Sequence, residues 1–284
     1  MQGKVCLVTG ATSGIGRATA TALADKGAEV FIVCRNAEKG VQLKQEIIEK
    51  TGNQQVTTLI GDLAVQADIR RVAAEFLATG KPLHVLVNNA GVVNQTRQLT
   101  GDGYEEMFAV NHLAYFLLTD LLLERIKASA PARIVSVSSG AHKFVKGMKW
   151  DDIHYEQGYK TFTVYGQSKL ANILWTRRLA QQLEGSGVTA NCLHPGAVGT
   201  NLGSQNGWFG KIVMKLLSPF FRSPEKGAET SIWLATSDDV EGVTGQYFYN
   251  CKRLEPEAWA KDDKESEKLW ALSEEMVSLS KPTI

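Results

Sequence analysis

The sequence lacks an excess of charge of either sign. Its 31 Lys and Arg residues nearly balance 30 Asp and Glu residues, which leaves a net charge of +1. Such a chain has no long-range attraction for nucleic acid, and it has no basic cluster with interleaved aromatic residues for base stacking. We therefore do not expect nucleic-acid binding.

Cysteine and clustered histidine are also scarce. The four cysteines form no C-x-x-C pair, and the five histidines never lie at metal-ligand spacing. These absences argue against a catalytic metal, and they favour reduced thiols in a cytoplasmic protein. His112 and His194 lie next to candidate site residues, but a packed or capping histidine is the simpler interpretation of each.

Long apolar runs and linkers are missing as well. No apolar run approaches the ~20 residues of a membrane span, no signal-peptide pattern is present at the start, and no repeat or proline-rich linker divides the chain. The 284 residues, of which 44% are hydrophobic, therefore predict a single domain over 1–284. We expect it to be soluble, or at most peripherally attached to a membrane.

Short apolar runs alternate with longer amphipathic stretches, a pattern that indicates βαβ units. It predicts an α/β fold, a doubly wound parallel sheet flanked by helices on both faces. Two long segments, 140–161 and 201–224, interrupt the alternation, and loops of such length are usually functional or disordered. The predicted strands are Val5–Val8, Val30–Val33, Val56–Ile60, Val85–Val87, Ile134–Val137, Val188–Cys192 and Tyr247–Tyr249, and the predicted helices are 14–26, 37–50, 66–79, 103–128 and 163–185.

A glycine-rich turn follows the first predicted strand. Thr9 and Gly10 end the strand, and Gly14 and Gly16 open the next helix. Glycines here let the backbone bend sharply and approach a pyrophosphate, whose charge lies against the helix N-terminus. The spacing is G-x-x-x-G-x-G, which differs from the usual G-x-G-x-x-G fingerprint. A glycine turn without a ligand remains the alternative.

Tyr165 and Lys169 place a phenol and an ammonium group on one face of a predicted helix. An unperturbed phenol has a pKa of ~10, and a nearby cation favours phenolate and lowers that value. The pair is therefore a candidate for proton transfer at neutral pH.

Taken together, these motifs resemble the short-chain dehydrogenase/reductase family, in its single-domain type, over nearly the whole chain. The segments that carry the resemblance are Thr9-Gly10-x-x-x-Gly14-x-Gly16, Asn88-Asn89-Ala90-Gly91, Tyr165-x-x-x-Lys169 and Pro195-Gly196-x-Val198-x-Thr200. The resemblance implies a Rossmann-type fold, a nicotinamide cofactor and a catalytic tetrad. The tetrad is Asn111, Ser139, Tyr165 and Lys169, and the expected cofactor-binding residues are Gly10, Ser13, Gly14, Ile15, Gly16, Arg35, Asn36, Asp62, Leu63, Asn89, Ala90, Gly91, Tyr165, Lys169, Pro195, Gly196, Val198 and Thr200.

The resemblance also implies a role for each member of the tetrad. Tyr165 donates a proton to the substrate oxygen, and Ser139 hydrogen-bonds the same oxygen. Lys169 lowers the phenol pKa and holds the nicotinamide ribose, and Asn111 anchors a water that links Lys169 to solvent. Without the other members, Asn111 would be an ordinary polar helix residue, and Ser139 could be a strand-end cap.

The end of the second strand favours NADP(H) as the cofactor. An NAD-binding unit carries an acidic residue there, whereas a 2′-phosphate requires a cation. This chain has Cys34 at the discriminating position, followed by Arg35, whose planar fork suits phosphate. Arg35 could instead be a solvated loop charge. Asp62 either contacts the adenine, by resemblance, or caps the next helix.

The substrate is expected to be a small apolar carbonyl or alcohol. An apolar stripe with flanking basic residues runs over 207–222, within the region where the family places its substrate lid, at about 201–224. The stripe could instead pack on the core, form a subunit contact or lie against a membrane surface. Within the family, the chain most resembles the retinol dehydrogenase-like branch, so that retinal, retinol or another lipid aldehyde is the expected substrate.

Three other functions were weighed. Protochlorophyllide-type reductases share the cofactor turn and the Tyr-x-x-x-Lys pair, but residues 88–91 are Asn-Asn-Ala-Gly, and 140–161 contains no cysteine. A non-catalytic NADPH-binding regulator would tolerate loss of a tetrad member, yet all four are present. A nucleotide-sugar epimerase would carry a G-x-x-G-x-x-G turn and a larger C-terminal domain.

The resemblance implies a homodimer or homotetramer, because family members pair through the helices around Asn111 and Tyr165. The C-terminal helix, with Leu269, Trp270, Leu272 and Met276 on one face, could instead cover part of that surface or the substrate cleft. The sequence leaves this choice open.

Overall fold

One sheet organises the molecule. The structure is a computed structural model that describes residues 1–198 and 222–278. Within these residues the strand order is β3-β2-β1-β4-β5-β6-β7-β8. The strands are β1 Val5–Thr9, β2 Glu29–Cys34, β3 Val56–Ile60, β4 Val85–Asn88, β5 Ala132–Val137, β6 Val188–Leu193, β7 Tyr247–Tyr249 and β8 Lys252–Arg253.

The strands from β1 to β7 are parallel to their neighbours, and β8 pairs antiparallel with β7. The chain winds outward in one direction from β1 to β3 and then in the other from β4, so that the winding reverses between β1 and β4. Ligands of doubly wound sheets bind outside the carboxyl ends of the strands at such a reversal. The predicted fold class is confirmed.

Helices cover both faces of the sheet. Their bounds are α1 Gly14–Asp25, α2 Ala37–Thr51, α3 Gln66–Ala78, α4 Glu106–Phe108, α5 Ala114–Lys127, α6 Thr161–Gln182, α7 Pro224–Thr236 and α8 Asp263–Ser278. Side chains alternate across the pleat of β1, so Val5 and Leu7 join an apolar cluster with α3, α5 and α6. Cys6 and Val8 join a second cluster with α1, α2 and α7.

The stretch predicted as one helix over 103–128 begins at Glu106 and contains a π-helical segment, Ala109–Leu113, between α4 and α5. Such single-turn π segments occur frequently at functional sites. The helical stretch from Glu106 to Lys127 contains an 18-residue window that is apolar enough to cross a membrane, but 78% of that window is buried inside the fold. It therefore meets the requirements of a core helix.

The C-terminal helix α8 packs on the face formed by α5 and α6. The rings of Trp270 and Phe116 meet edge to face with centroids 4.9 Å apart. The end of α8 is held by Arg70 and Tyr104, which donate hydrogen bonds to the carbonyls of Val277 (2.6 Å) and Met276 (2.8 Å). A dimer through α5 and α6 would therefore have to include or displace α8.

Candidate active site

The glycine turn is closed tightly against the end of β4. Gly10 has φ +64°, and a Cβ there would lie 2.7 Å from the Ala90 Cα. A Cβ on Gly16 would lie 2.4 Å from the Gly10 carbonyl oxygen. The Thr9 hydroxyl accepts hydrogen bonds from the Asn89 and Ala90 amides at 2.9 and 3.1 Å. Only glycine fits at these two positions.

A cleft of about 490 Å³ runs from this turn to Tyr165 and Lys169. It is within the size range of cofactor sites. The predicted cofactor residues that line it are Gly10, Ser13, Gly14, Ile15, Gly16, Arg35, Asn36, Asp62, Leu63, Asn89, Ala90, Gly91, Tyr165, Lys169 and Pro195. The backbone cradle at one end and the polar side chains along the cleft fit a nicotinamide dinucleotide.

Three predicted cofactor residues do not line this cleft in the described part of the chain. Thr200, like most of the expected lid at 201–224, lies outside the described residues. The Val198 side chain packs where α7 approaches the turn, since a Cβ on Gly227 would lie 2.6 Å from it and 3.2 Å from Ile15. Gly196, with φ +83°, lies against the Arg222 side chain.

The far end of the cleft is cationic. Arg17 and Lys39 line it together with Arg35, and all three side chains are exposed. Arg17 forms an ion pair of 2.6 Å with Glu46, which also lines the cleft. Cys34 is buried, and burial raises the pKa of its thiol, so the end of β2 carries no negative charge. Two of these cations were not predicted from the sequence: Arg17, which directly follows Gly16, and Lys39, which lies in the first turn of α2.

Asp62 and Asn36 line the cleft next to these charges. The Asp62 carboxylate accepts a hydrogen bond from the Ala64 amide at 2.9 Å, whereas the N-cap of α3 is Val65. The alternative that Asp62 caps the helix is therefore wrong. Asn36 caps α2, because its side-chain oxygen accepts from the Lys39 amide at 2.8 Å, and it lines the cleft as well.

At the other end, Tyr165 and Lys169 project from α6. Lys169 is 3% exposed, and its Nζ donates to the Val137 carbonyl at 3.0 Å. The Ser139 side chain is hydrogen-bonded to Tyr165, and it also accepts from the Ala141 amide at 3.1 Å. Ser138 instead donates its hydroxyl hydrogen bond to the Lys169 carbonyl at 2.7 Å. Of the two serines, Ser139 therefore lies beside the reactive phenol.

Asn111 lies in the π-helical segment and is fully buried. Its amide exchanges two hydrogen bonds with the backbone of Val92, accepting at 2.8 Å and donating at 3.0 Å. A Cβ on Gly91 would lie 3.2 Å from the Asn111 oxygen and 3.6 Å from the Lys169 Nζ. Gly91 therefore leaves the space in which these two side chains approach the end of β4.

Burial dominates the electrostatics of the catalytic pair. It raises the pKa of Tyr165 to about 12, against the opposing hydrogen bond with Ser139. It also lowers the pKa of Lys169 to about 7, and the Lys169 Nζ lies 5.7 Å from the Tyr165 ring centroid. The expected lowering of the phenol pKa is wrong for this arrangement, because desolvation disfavours both charged forms.

The histidines near the site are packed residues, as expected. His112 is fully buried, and His194 stacks on Tyr249 with ring centroids 4.1 Å apart. Among residues 1–198 and 222–278, no group of three or more His, Cys, Asp or Glu side chains could hold a metal ion.

A doubly wound sheet with a glycine cradle at its switch point and a Tyr–Lys pair at the end of the same cleft defines a nicotinamide-dependent oxidoreductase. The family model for short chain dehydrogenases matches residues 4–207, and the chain belongs to this family.

Among curated relatives, the chain is 45% identical to mouse retinol dehydrogenase 12, covering 98% of this chain and 87% of the relative. It is 46% identical to human retinol dehydrogenase 14, covering 99% and 88%. A crystal structure of an uncharacterized protein from Mycobacterium Paratuberculosis matches with a TM-score of 0.78 and 30% identity, over 98% of this chain and 94% of that one. The NADP active-site complex of Pseudomonas aeruginosa RhlG matches with a TM-score of 0.69 and 26% identity, over 87% and 94%. The predicted resemblance to the retinol dehydrogenase-like branch is confirmed.

Proposed function

We propose that the protein is an NADP(H)-dependent oxidoreductase that interconverts an apolar carbonyl and its alcohol. The observation that carries the cofactor choice is the charge at the end of β2. Arg17, Arg35 and Lys39 line that end of the cleft, and the discriminating position is the buried, neutral Cys34. A 2′-phosphate is stabilised by such cations, particularly by an arginine fork. Solved relatives with bound NADP support the same choice.

The side chains at the other end of the cleft would handle the proton. Bound NADPH supplies a hydride to the carbonyl carbon, which leaves negative charge on the substrate oxygen. Tyr165 holds its proton at neutral pH because burial raises its pKa to about 12, so it can donate that proton to the oxygen. Ser139, hydrogen-bonded to Tyr165, would position and stabilise the same oxygen.

Lys169 is suited to restore the proton. Its pKa of about 7 makes the ammonium and amine forms similarly populated near neutral pH, so it can gain and lose a proton readily. Its Nζ lies within 5.7 Å of the Tyr115 and Tyr165 ring centroids and lines the cleft, where it could contact the nicotinamide ribose. Asn111 supports this end of the site through its hydrogen bonds to Val92.

For the substrate we propose retinal and retinol, or another lipid aldehyde and its alcohol. The support is the level of similarity to relatives named retinol dehydrogenases, 40–46% identity over at least 98% of the chain. We further propose a cytoplasmic location. A homodimer or homotetramer remains a proposal, as does a peripheral membrane contact through the 207–222 stripe, which lies mostly outside the described residues.

The test is chromatographic detection of retinol formed from all-trans-retinal by the purified protein, with NADPH and NADH in parallel. We expect retinol with NADPH, less with NADH and none with Tyr165→Phe. NADPH binding without retinol formation would retain the cofactor assignment and redirect the search to other lipid aldehydes, steroids and small ketones. If the protein binds NADPH tightly but reduces none of these carbonyls, the alternative of a non-catalytic NADPH-binding regulator is favoured.

A further inference from the structure

A set of three buried polar side chains lies between the C-terminal helix and the catalytic lysine. Its members are Ser273 on α8, His112 in the π-helical segment and Asn172 on α6, one turn beyond Lys169, and each side chain is 0% exposed. A buried polar group that is left unpaired costs roughly 1–3 kcal/mol. The hydrogen bonds that these three side chains make, and the atoms that they leave unpaired, therefore indicate what the set does.

Asn172 contacts the two carbonyls that lie against the catalytic residues. Its Nδ2 donates to the Asn111 carbonyl at 2.8 Å and, more weakly, to the Val137 carbonyl at 3.4 Å. The Val137 carbonyl also accepts the hydrogen bond of the Lys169 Nζ, at 3.0 Å. Asn172 and Lys169 thus share one acceptor at the end of β5.

His112 lies behind Asn172. Because Asn172 uses its NH2 group as the donor, its Oδ1 requires a donor in turn, yet this buried oxygen has no hydrogen-bond partner. The buried His112 Nδ1 has no hydrogen-bond partner either, and the two side chains are close enough to interact, so each unpaired atom is the available partner of the other. The His112 Nε2 lies 2.8 Å from the Ser273 hydroxyl.

One tautomer satisfies this arrangement. If Nδ1 carries the proton, His112 donates to Asn172, and Nε2 accepts from Ser273. If Nε2 carries it, two acceptors, His112 Nδ1 and Asn172 Oδ1, are left facing each other in a buried site, which is unfavourable. Burial lowers the pKa of His112 to about 3, so the ring is neutral.

We infer that Asn172 is a positioning residue for Lys169, held in its orientation by the Nδ1–H of His112. The inference rests on the proposed function insofar as Lys169 serves catalysis. Without the hydrogen bond from His112, the Asn172 amide is free to turn away from the Val137 carbonyl. That carbonyl then loses a competing donor and can accept more strongly from the Lys169 ammonium. The groups that face that ammonium are the Tyr115 and Tyr165 rings, at 5.6 and 5.7 Å, and the neutral His112.

Two substitutions of nearly equal size separate positioning from packing. His112→Asn places an amide N–H near the position of Nδ1–H, so it can still donate to Asn172. His112→Gln places its amide near Nε2, so it keeps the contact with Ser273 and loses the one with Asn172. Both remove the ring from the same cavity, and thermal unfolding should show similar losses of stability.

The first measurement does not depend on a substrate. Lys169 lines the cleft, so competitive acetylation with acetic anhydride followed by mass spectrometry can report its titration in the cofactor-free protein. We expect a midpoint near that of the wild-type protein in His112→Asn. In His112→Gln we expect it to rise by at least about 0.5, roughly a threefold change in the protonation equilibrium.

The second measurement is retinal reduction with NADPH. His112→Gln should lower kcat by roughly tenfold or more, since small misplacements of catalytic groups have effects of this size, while KM and NADPH affinity change little. His112→Asn should retain most of the wild-type kcat. Equal titration midpoints in the two variants would overturn the inference, even if retinal proves not to be the substrate. Loss of retinal reduction in the wild-type protein would count against the proposed function alone.

Discussion

The two ends of the cleft are built in different ways. At the cofactor end, the main chain provides the shape, because Gly10 and Gly16 leave no room for a Cβ, and the charged side chains there are exposed. At the catalytic end, Asn111, Lys169 and Asn172 are buried and joined by hydrogen bonds. The first end depends on local backbone geometry, whereas the second depends on partners that offset the cost of burying polar groups.

The largest effect is expected from removing the proton donor. Tyr165→Phe should lower kcat by roughly 10² to 10⁴, the usual contribution of a general acid. Because the phenyl ring still fills the site, NADPH affinity measured by fluorescence titration should stay within about twofold. Tyr159→Phe is the matched control, since Tyr159 bonds the Asn94 carbonyl and does not line the cleft. Substantial turnover by Tyr165→Phe would remove the assigned acid role.

The contrast between a cofactor end shaped by the main chain and a catalytic end built from buried side chains also explains which features the sequence could predict. The cofactor turn is formed by residues that are close together in the sequence, so Gly10, Gly14 and Gly16 were recognisable from their spacing after a strand. The parallel sheet was predictable for the same reason, because each buried strand is a short apolar run. Helix α7, Pro224–Thr236, follows directly after the region that broke the regular pattern and was not predicted.

The buried contacts that support the catalytic end were not predictable from the sequence. Ser273 is 161 positions from His112 and meets it only in the folded chain. The raised pKa of Tyr165 arises from burial, which a Tyr-x-x-x-Lys spacing does not report. The π-helical segment around Asn111 has the same apolar pattern as an ordinary helix, so its wider backbone turn has no sequence signal.

A buried carboxylate tests the cost of burial near the catalytic end. Glu105 is 0% exposed, and it caps α4 by accepting from the amides of Met107 and Phe108 at 3.0 and 2.7 Å. Burial raises its pKa from 4.5 to about 7. The folded protein therefore binds this proton more tightly than the unfolded chain does. The resulting stabilisation is fully present below pH 4.5 and is lost as the pH rises through 7.

Glu105→Gln should remove that dependence. Relative to the wild-type protein, the free energy of unfolding of the variant should rise between pH 5 and 8 by up to about 3 kcal/mol, since each unit of pKa is worth about 1.4 kcal/mol. Urea unfolding across this range measures it. The same change at Glu124, which is 87% exposed, should leave the difference flat with pH. Parallel pH curves for Glu105→Gln and the wild-type protein would show that burial does not hold this proton.

The backbone-shaped end predicts a steric effect. Gly16→Ala introduces a Cβ that would lie 2.4 Å from the Gly10 carbonyl oxygen, so the turn must shift. Overpacking of this kind typically costs about 1–3 kcal/mol, and here it should weaken NADPH binding because the cradle itself moves. Gly101→Ala is the control, since a Cβ there meets no atom within 4 Å. Calorimetric titration with NADPH measures both, and equal affinities would argue against a main-chain cradle.

The smallest effect is expected from the exposed charges. Arg35→Asp replaces a cation that lines the cleft with the acidic type of residue that accepts hydrogen bonds from ribose hydroxyls. Because Arg35 is exposed, its contact with a phosphate is worth at most about 1 kcal/mol, so the NADPH/NADH preference in kcat/KM should fall by roughly fivefold. Lys50→Asp makes the same change of charge on α2, away from the cleft, and should leave the preference unchanged.

Because Arg17 and Lys39 line the same end, part of the preference should survive Arg35→Asp and decline as salt screens the remaining cations. An unchanged ratio would place the 2′-phosphate contact on those two side chains and away from the end of β2.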